Sequence, residues 1–470
     1  MAAESPTPAA AAPGRQYRRM SSSLFSSLAQ TGAVQPALES KLDCLFFSPL
    51  RYDLPRLTKK VDCSGIGLGI GQRLIDEFLA TRSLTSHLIL LPTTRSSDKS
   101  LQAIASLRQY AEQAAQTSTA LQGRVGEAAY RWQDTVARIH VLSLSLDLCD
   151  LRGVYAFADR LCRGTVSNPE GLEGEYLRDV RIPRLDTVVF NAAYGGWTGC
   201  SYVKACWIML TKGFVQAVTW PTFKNSLPTC ILNERGRYNY PQKPLLASPL
   251  LSRKSQNEAP GRIVWSSSVE AIREVYNPDD MQCFLQPAAY ESAKRLIDII
   301  AISHSLPSVR PFSARFLQID EESGGDATET PIPPRSRFGR GSLVGLPWHN
   351  CDGYRGAKSA AWIALQDQGA LDEANAERIK WGSASDHKLD SYVKKTEVEG
   401  WGWEGKPETA ETIREDAAEG ILHKSAGRRA GTKNVMQEDI VEFEELGSRV
   451  WAEMERLRLE WASILTGKSE

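Results

Sequence analysis

No stretch of the chain strings together the roughly 18 apolar residues that a membrane-spanning helix requires. The best candidate, Cys206 to Trp220, is short and interrupted by Lys212. The nine cysteines are odd in number and none form a C-x-x-C pair. This argues against a zinc site and a secreted disulfide framework, and fits reduced thiols in a cytosol-facing protein. Neither sign of charge is in excess: 56 Lys and Arg balance 56 Asp and Glu, for a formal net charge of zero. A nucleic-acid binder that works through general basicity is thereby excluded. With 35 Gly and 24 Pro among 470 residues, collagen-like and wholly disordered chains are excluded as well. What remains is ordinary globular composition, over a length that suits one large α/β domain with extensions.

The first 40 residues are rich in Ala, Pro and Ser, so residues 1–60 are expected to form a mostly disordered leader. From residue 61 onward, strand-like and helical stretches alternate. A glycine-rich segment, Ser64–Gly71, runs into a helical stretch at Gln72–Thr81. The apolar runs Leu88–Leu91, Ile139–Leu146, Leu185–Phe190 and Gly261–Trp265 predict strands, with helical stretches at Leu101–Leu121, Tyr202–Val218 and Ala288–Ile302. Such alternation predicts a doubly wound, mostly parallel sheet over 61–317, covered by helices on both faces. An irregular loop is expected at 318–344 and a helical C-terminal extension at 345–470. The last helix, near 437–465, sets Phe443, Leu446, Val450, Met454, Leu457, Trp461 and Ile464 on one apolar stripe. Its mixed Glu/Arg polar face favours packing onto the domain over a membrane surface.

Ligands of parallel sheets bind beyond the carboxyl ends of the strands. Those ends carry Asp147-Leu148, Asn191-Ala192-Ala193 and Ser266-Ser267-Ser268. Just downstream stands Tyr290-Glu-Ser-Ala-Lys294, whose Tyr and Lys share a helix face at i and i+4. A lysine cation beside a phenol favours phenolate, so such a tyrosine is suited to exchange a proton with a carbonyl or alcohol oxygen. A serine hydroxyl can hold that oxygen in place. The same spacing recurs at Tyr354…Lys358, but only Tyr290 closely follows a serine-ended strand.

Together these motifs resemble the short-chain dehydrogenase/reductase family over roughly residues 61–310. Phe190–Gly199, Val264–Ser268, Tyr290–Arg295, Gly345–Leu365 and Lys395–Glu404 look more specifically like the fungal 3-ketosteroid reductases of sterol C-4 demethylation. The resemblance implies a Rossmann-like fold. It also implies Tyr290 as general acid, Lys294 as its electrostatic partner and nicotinamide-ribose ligand, and Ser268 as the carbonyl-orienting hydroxyl, with Ser267 as the alternative. Gly65 and Gly67 would approach the pyrophosphate, Asp147 and Leu148 would flank the adenine, and Asn191 would steady the cofactor edge. Arg95, after the second sheet strand, suits a 2′-phosphate, which points to NADPH. The implied setting is ergosterol synthesis, with a sterol substrate and the other C-4 demethylation enzymes as partners. The implied location is membrane-associated at the cytosolic side of the endoplasmic reticulum. Tyr194, Trp197 and Tyr202 offer aromatic lining for a sterol pocket or for the core. The resemblance also makes Tyr354 a helix residue outside the site.

The sequence departs from the family in three places. The glycine motif admits two registers, Ser64-Gly65-Ile66-Gly67 or Ser64-Gly65…Gly69…Gly71, and Lys60-Val61 stand where the family has Thr-Gly. Leu42–Phe47 offers a substitute first strand, at the cost of a long loop to Gly65. Phe316–Val344 is polar where the family has a Pro-Gly loop and the fungal enzymes an apolar segment. The family's further catalytic Asn has no counterpart at Val218-Thr219-Trp220. These departures leave open a catalytically impaired scaffold or binding protein, and a reductase of another bulky ketone.

Overall fold

The computed structural model describes residues 42–47, 65–126, 129–148, 150–192, 197–226, 261–281, 288–317, 352–386, 388–409, 428–429 and 431–466. The main sheet begins with β1 (Leu42–Phe47), β2 (His87–Thr94) and the short pieces β3 (Ile139–Val141) and β4 (Leu144–Ser145), which both pair with β2. β5 (Thr187–Phe190) follows. An antiparallel pair, β6 (Trp197–Cys200) and β7 (Lys224–Ser226), then precedes the last sheet strand, β8 (Arg262–Trp265). The order β3-β2-β1-β5-β8 is parallel throughout, with Cys44 opposite Ile89, Leu45 opposite Thr187 and Val188 opposite Ile263. The direction of winding reverses between β1 and β5, which places the ligand crevice at their carboxyl ends.

The first strand is therefore Leu42–Phe47, at the centre of the sheet. This corrects the boundary drawn at residue 61, because the α/β domain takes residues from within the expected leader. Leu-Asp-Cys-Leu-Phe-Phe is the substitute first strand that the sequence offers, although it lies far from the glycine-rich segment that follows it. Residues 1–41 and 48–60 of that leader and residues 61–64 after it, Lys60-Val61 among them, lie outside the described residues, as does the loop expected at 318–344.

Period-2 alternation in β2 divides the core. Leu88 and Leu90 pack with Ile70, Leu74 and Phe78 of α1 (Ile66–Thr81) and with Ile104 and Leu107 of α2 (Ser97–Thr117). Ile89 and Leu91 face the other way, onto Val154, Phe157 and Leu161 of α3 (Leu151–Arg163). Ser96 and Asp150 cap α2 and α3 by accepting the Lys99 and Gly153 amides. α4 (Tyr202–Lys212) ends sooner than its hydrophobic pattern suggests, because Gly213 adopts φ 85° and starts a separate turn at Phe214.

α5 (Ala289–Ser303) carries Tyr290 and Lys294 and lies over β8. Its outer side is covered by the C-terminal extension. There Ile299 and Ile302 join Trp401, Phe443, Val450 and Met454, the last three from α7 (Gln437–Thr466). The extension also supplies α6 (Lys358–Leu365), whose Ala361 and Ala364 complete the α1 side of the core. Besides the expected helices it holds an antiparallel hairpin, β9 (Lys380–Ser385) and β10 (Ser391–Thr396). The Ser/Lys-rich hairpin sequence shows little of the apolar alternation by which strands are recognised.

Candidate active site

β8 ends at Trp265, and the Ser266 amide still pairs with the Phe190 carbonyl, so the serine segment leaves the sheet next to Asn191. α5 docks on it through two hydrogen bonds. Lys294 Nζ donates to the Ser266 carbonyl at 2.5 Å, and Ser267 Oγ donates to the Lys294 carbonyl at 3.2 Å. Ser267 is thus committed to the helix backbone. Ser268 is placed differently: its Oγ accepts the Glu270 amide at 3.1 Å, which leaves its hydroxyl proton to point elsewhere. Tyr290 is half-buried, one turn before Lys294, and Lys294 Nζ lies 5.6 Å from the centroid of the Tyr290 ring. Burial lowers the Lys294 pKa to about 8. Lys380 repels the charge further and Asp298 partly restores it.

Some of these groups were not apparent from sequence. Lys380, the first residue of β9, donates to the Ser268 carbonyl at 2.6 Å and to Asp298 Oδ2 at 2.7 Å. Lys224 of β7 pairs with both Glu270 oxygens at 2.7 and 2.8 Å, so the β6–β7 pair braces the chain just beyond the serine segment too. Burial raises the Glu270 pKa and the Lys224 cation opposes the rise. Only Asp298 had a readable signal, its i+4 spacing from Lys294.

The residues assigned to the dinucleotide lie at the same end of the sheet. Gly65 caps α1 with φ 143°, a conformation that disfavours side chains, and no side chain caps the helix. The first turn holds no acid, so its free amides and dipole suit an anion. Gly67 is buried within that turn. Close by, a Cβ on Gly69 would meet the Gly353 carbonyl oxygen at 2.1 Å, so this glycine serves helix packing rather than phosphate approach. Arg95 is exposed directly after β2, Asp147 and Leu148 are half-buried after β4, and Asn191 is buried after β5. An uncapped, acid-free helix start fits the pyrophosphate of a dinucleotide. Of the aromatic candidates, Tyr202 is 78% exposed, while Tyr194 and the Trp197 side chain lie outside the described residues.

The second Tyr…Lys pair has a different task. The Tyr354 hydroxyl donates to Asp76 and Lys358 pairs with Glu77, both on α1, while Arg73 stacks 3.9 Å over the Tyr354 ring. Burial and the Asp76 carboxylate push the Tyr354 pKa up to about 12. That is opposite to what proton transfer needs, and Tyr354…Lys358 is a packing contact.

A parallel sheet wound in this order, with Ser, Tyr and Lys beyond its strands, is consistent with the short-chain dehydrogenase/reductase class that the sequence resembles. No protein-family model matches the chain. Curated relatives do. The 3-keto-steroid reductase ERG27 of Gibberella zeae is 55% identical over 444 residues, covering 86% of this chain and 93% of that protein. The 3-keto-steroid reductase erg27 of Aspergillus fumigatus is 29% identical over 454 residues, with the same two coverages, 86% and 93%. The chain belongs to the fungal 3-keto-steroid reductase family.

Proposed function

We propose that the protein reduces a 3-ketosteroid to the 3β-hydroxysteroid with NADPH, in the sterol C-4 demethylation that leads to ergosterol. The observation that carries the reading is the docking of Lys294 and Ser267 onto the serine segment, which brings Ser268, Tyr290 and Lys294 to one strand end. The Tyr290 hydroxyl donates a proton to the ketone oxygen as that oxygen gains negative charge. Ser268, whose oxygen already accepts from Glu270, turns its own O–H toward the same oxygen and fixes the carbonyl. The Lys294 ammonium near the phenol ring eases loss of the Tyr290 proton. The nicotinamide cofactor, when bound, supplies the hydride. Asn191 steadies the crevice at the end of β5, and Asp147 and Leu148 flank the adenine. The test is NADPH consumption by the purified chain with a 4-methyl-3-ketosterol beside small carbonyl compounds; selective turnover of the sterol supports the reading, and turnover of neither sinks it.

Arg95 is the proposed reader of the 2′-phosphate. Arg95→Ala is expected to weaken NADPH binding by about 10- to 100-fold, the worth of a charge-assisted hydrogen bond, and to leave NADH binding unchanged. Fluorescence titration with both cofactors measures this; equal loss for both would remove Arg95 from that role.

Among the described residues no helix is long and apolar enough to cross a membrane. The proposed membrane association is instead peripheral, at the cytosolic face of the endoplasmic reticulum, where the substrate and the other C-4 demethylation enzymes reside. It is supported by α4 and the turn after it. Val203, Trp207, Leu210 and Phe214 are 67–84% exposed there. Lys204 and Lys212 flank them, and no acid occurs from residue 192 to 233. The full chain is expected to float with anionic vesicles, and the Trp207→Glu/Leu210→Glu variant to stay behind. Equal flotation of the two would contradict this.

A further inference from the structure

We propose that Lys380, contributed by the C-terminal extension, is a positioning residue of the active site that clamps the serine segment to the catalytic helix and sets the charge around Lys294. The inference rests on the reading of Tyr290, Lys294 and Ser268 as the reaction centre.

Lys380 Nζ makes two short bonds at once. One goes to the carbonyl of Ser268, the residue whose hydroxyl is offered to the substrate, at 2.6 Å. The other goes to Asp298 Oδ2 at 2.7 Å, one turn of α5 beyond Lys294. The ion pair is buried, with side chains only 12% and 3% exposed. A lysine that merely neutralised Asp298 would need only the second bond. The first ties the charge pair to the backbone of Ser268, so the distance from Ser268 to Tyr290 is spanned by Ser268–Lys380–Asp298 as well as by Ser266–Lys294.

The groups facing Lys294 are the Tyr290 ring, the Ser266 carbonyl, Asp298 and Lys380. Without Lys380, Asp298 would be left as a buried carboxylate that faces Lys294 and the buried Arg295 guanidinium. Lys294 would then be drawn toward Asp298, one turn away from Tyr290, and would hold its proton to higher pH. The strand that supplies Lys380 is itself held in register, with Thr396 of β10 opposite Lys380. The extension thus reaches into the chemistry of the α/β domain through one side chain.

The experiment compares wild type, Lys380→Met, Lys380→Arg and the double variant Lys380→Met/Asp298→Asn. The double variant removes the orphaned carboxylate and so keeps the test valid if the single variant folds poorly. kcat and its pH profile are measured with the 3-ketosterol. The titration of Lys294 is followed by nitrogen NMR of the lysine ammonium in cofactor-free protein. Wild type is expected to lose activity above pH about 8, as Lys294 loses its proton. Lys380→Met should lower kcat by about 10- to 100-fold, the scale of a small misplacement, and move the alkaline limb to higher pH. Lys380→Arg should keep the limb in place and restore most of kcat. The double variant should remain slow, because Ser268 still lacks its clamp. Wild-type turnover with unchanged kcat and unchanged limb in Lys380→Met and in the double variant would overturn the proposal. Absence of wild-type turnover would instead overturn the catalytic reading. In that case the Lys294 titration decides about Lys380: an alkaline shift in Lys380→Met supports it and no shift overturns it.

Discussion

Tyr290→Phe is expected to lower kcat for the 3-ketosterol by about 10²- to 10⁴-fold, the range contributed by a positioned proton donor. The ring stays, so its packing and the 5.6 Å approach of Lys294 Nζ stay, and only the transferable proton is lost. KM and NADPH affinity should move little, since the phenol acts chiefly when charge develops on the ketone oxygen. Tyr354→Phe is the matched control. It removes a hydroxyl from the same Tyr…Lys spacing, but that hydroxyl serves Asp76 on α1. Its loss should cost stability and leave kcat near wild type. Steady-state assays and melting curves on the two variants separate a reacting tyrosine from a packing one. Full turnover by Tyr290→Phe would remove it from the reaction.

The second large effect is on stability. Arg428→Met is expected to cost about 3–5 kcal/mol, as measured by chemical denaturation. Arg428 lies 2.6 Å from Glu397 and 3.0 Å from Glu408, carboxylates whose side chains are only 7% and 6% exposed. It also donates to the Lys433 carbonyl and the Asn434 side chain, while Glu408 accepts the Val435 amide. Methionine fills much of the same volume but removes the guanidinium that bridges the two buried carboxylates. Burial raises the Glu397 pKa and Arg428 opposes the rise, so loss of the guanidinium shifts it further up. Arg428→Met combined with Glu397→Gln and Glu408→Gln should recover most of the lost stability, because the negative charge that the guanidinium balances is removed with it. The segment concerned packs around Trp401 and Phe443 against α5, so this charge cluster supports the element that carries Tyr290 and Lys294.

Where the sheet strands are buried on both faces, they announce themselves as apolar runs. Thr187–Phe190 and Arg262–Trp265 lie within one or two residues of where their sequence places them. The polar residues that stop those runs, Asn191 and Ser266–Ser268, mark the crevice for the same reason: the chain leaves the sheet there. α5 is equally legible, since its apolar stripe and its Tyr…Lys pair share a short segment. The first strand was harder, because its glycine-rich helix begins at residue 66 while the strand ends at residue 47. Motif spacing assumes a short turn between the two. Lys380 was invisible for a different reason. It lies 112 residues from Ser268 and 82 from Asp298, and no local periodicity encodes a contact across that distance. The two Tyr…Lys pairs show the limit most clearly. Spacing makes them equal, and only the partners differ: a serine-ended strand for one, carboxylates of α1 for the other.

The most direct test of the account is hydride transfer itself. The purified chain is incubated with a 4-methyl-3-ketosterol and NADPH deuterated at the nicotinamide C4, and the sterol product is identified by mass and by magnetic resonance. The account predicts a 3β-hydroxysterol carrying one deuterium at C3, formed by wild type and nearly absent with Tyr290→Phe. Recovery of unchanged ketone from wild type, under conditions where the cofactor is bound, would contradict it.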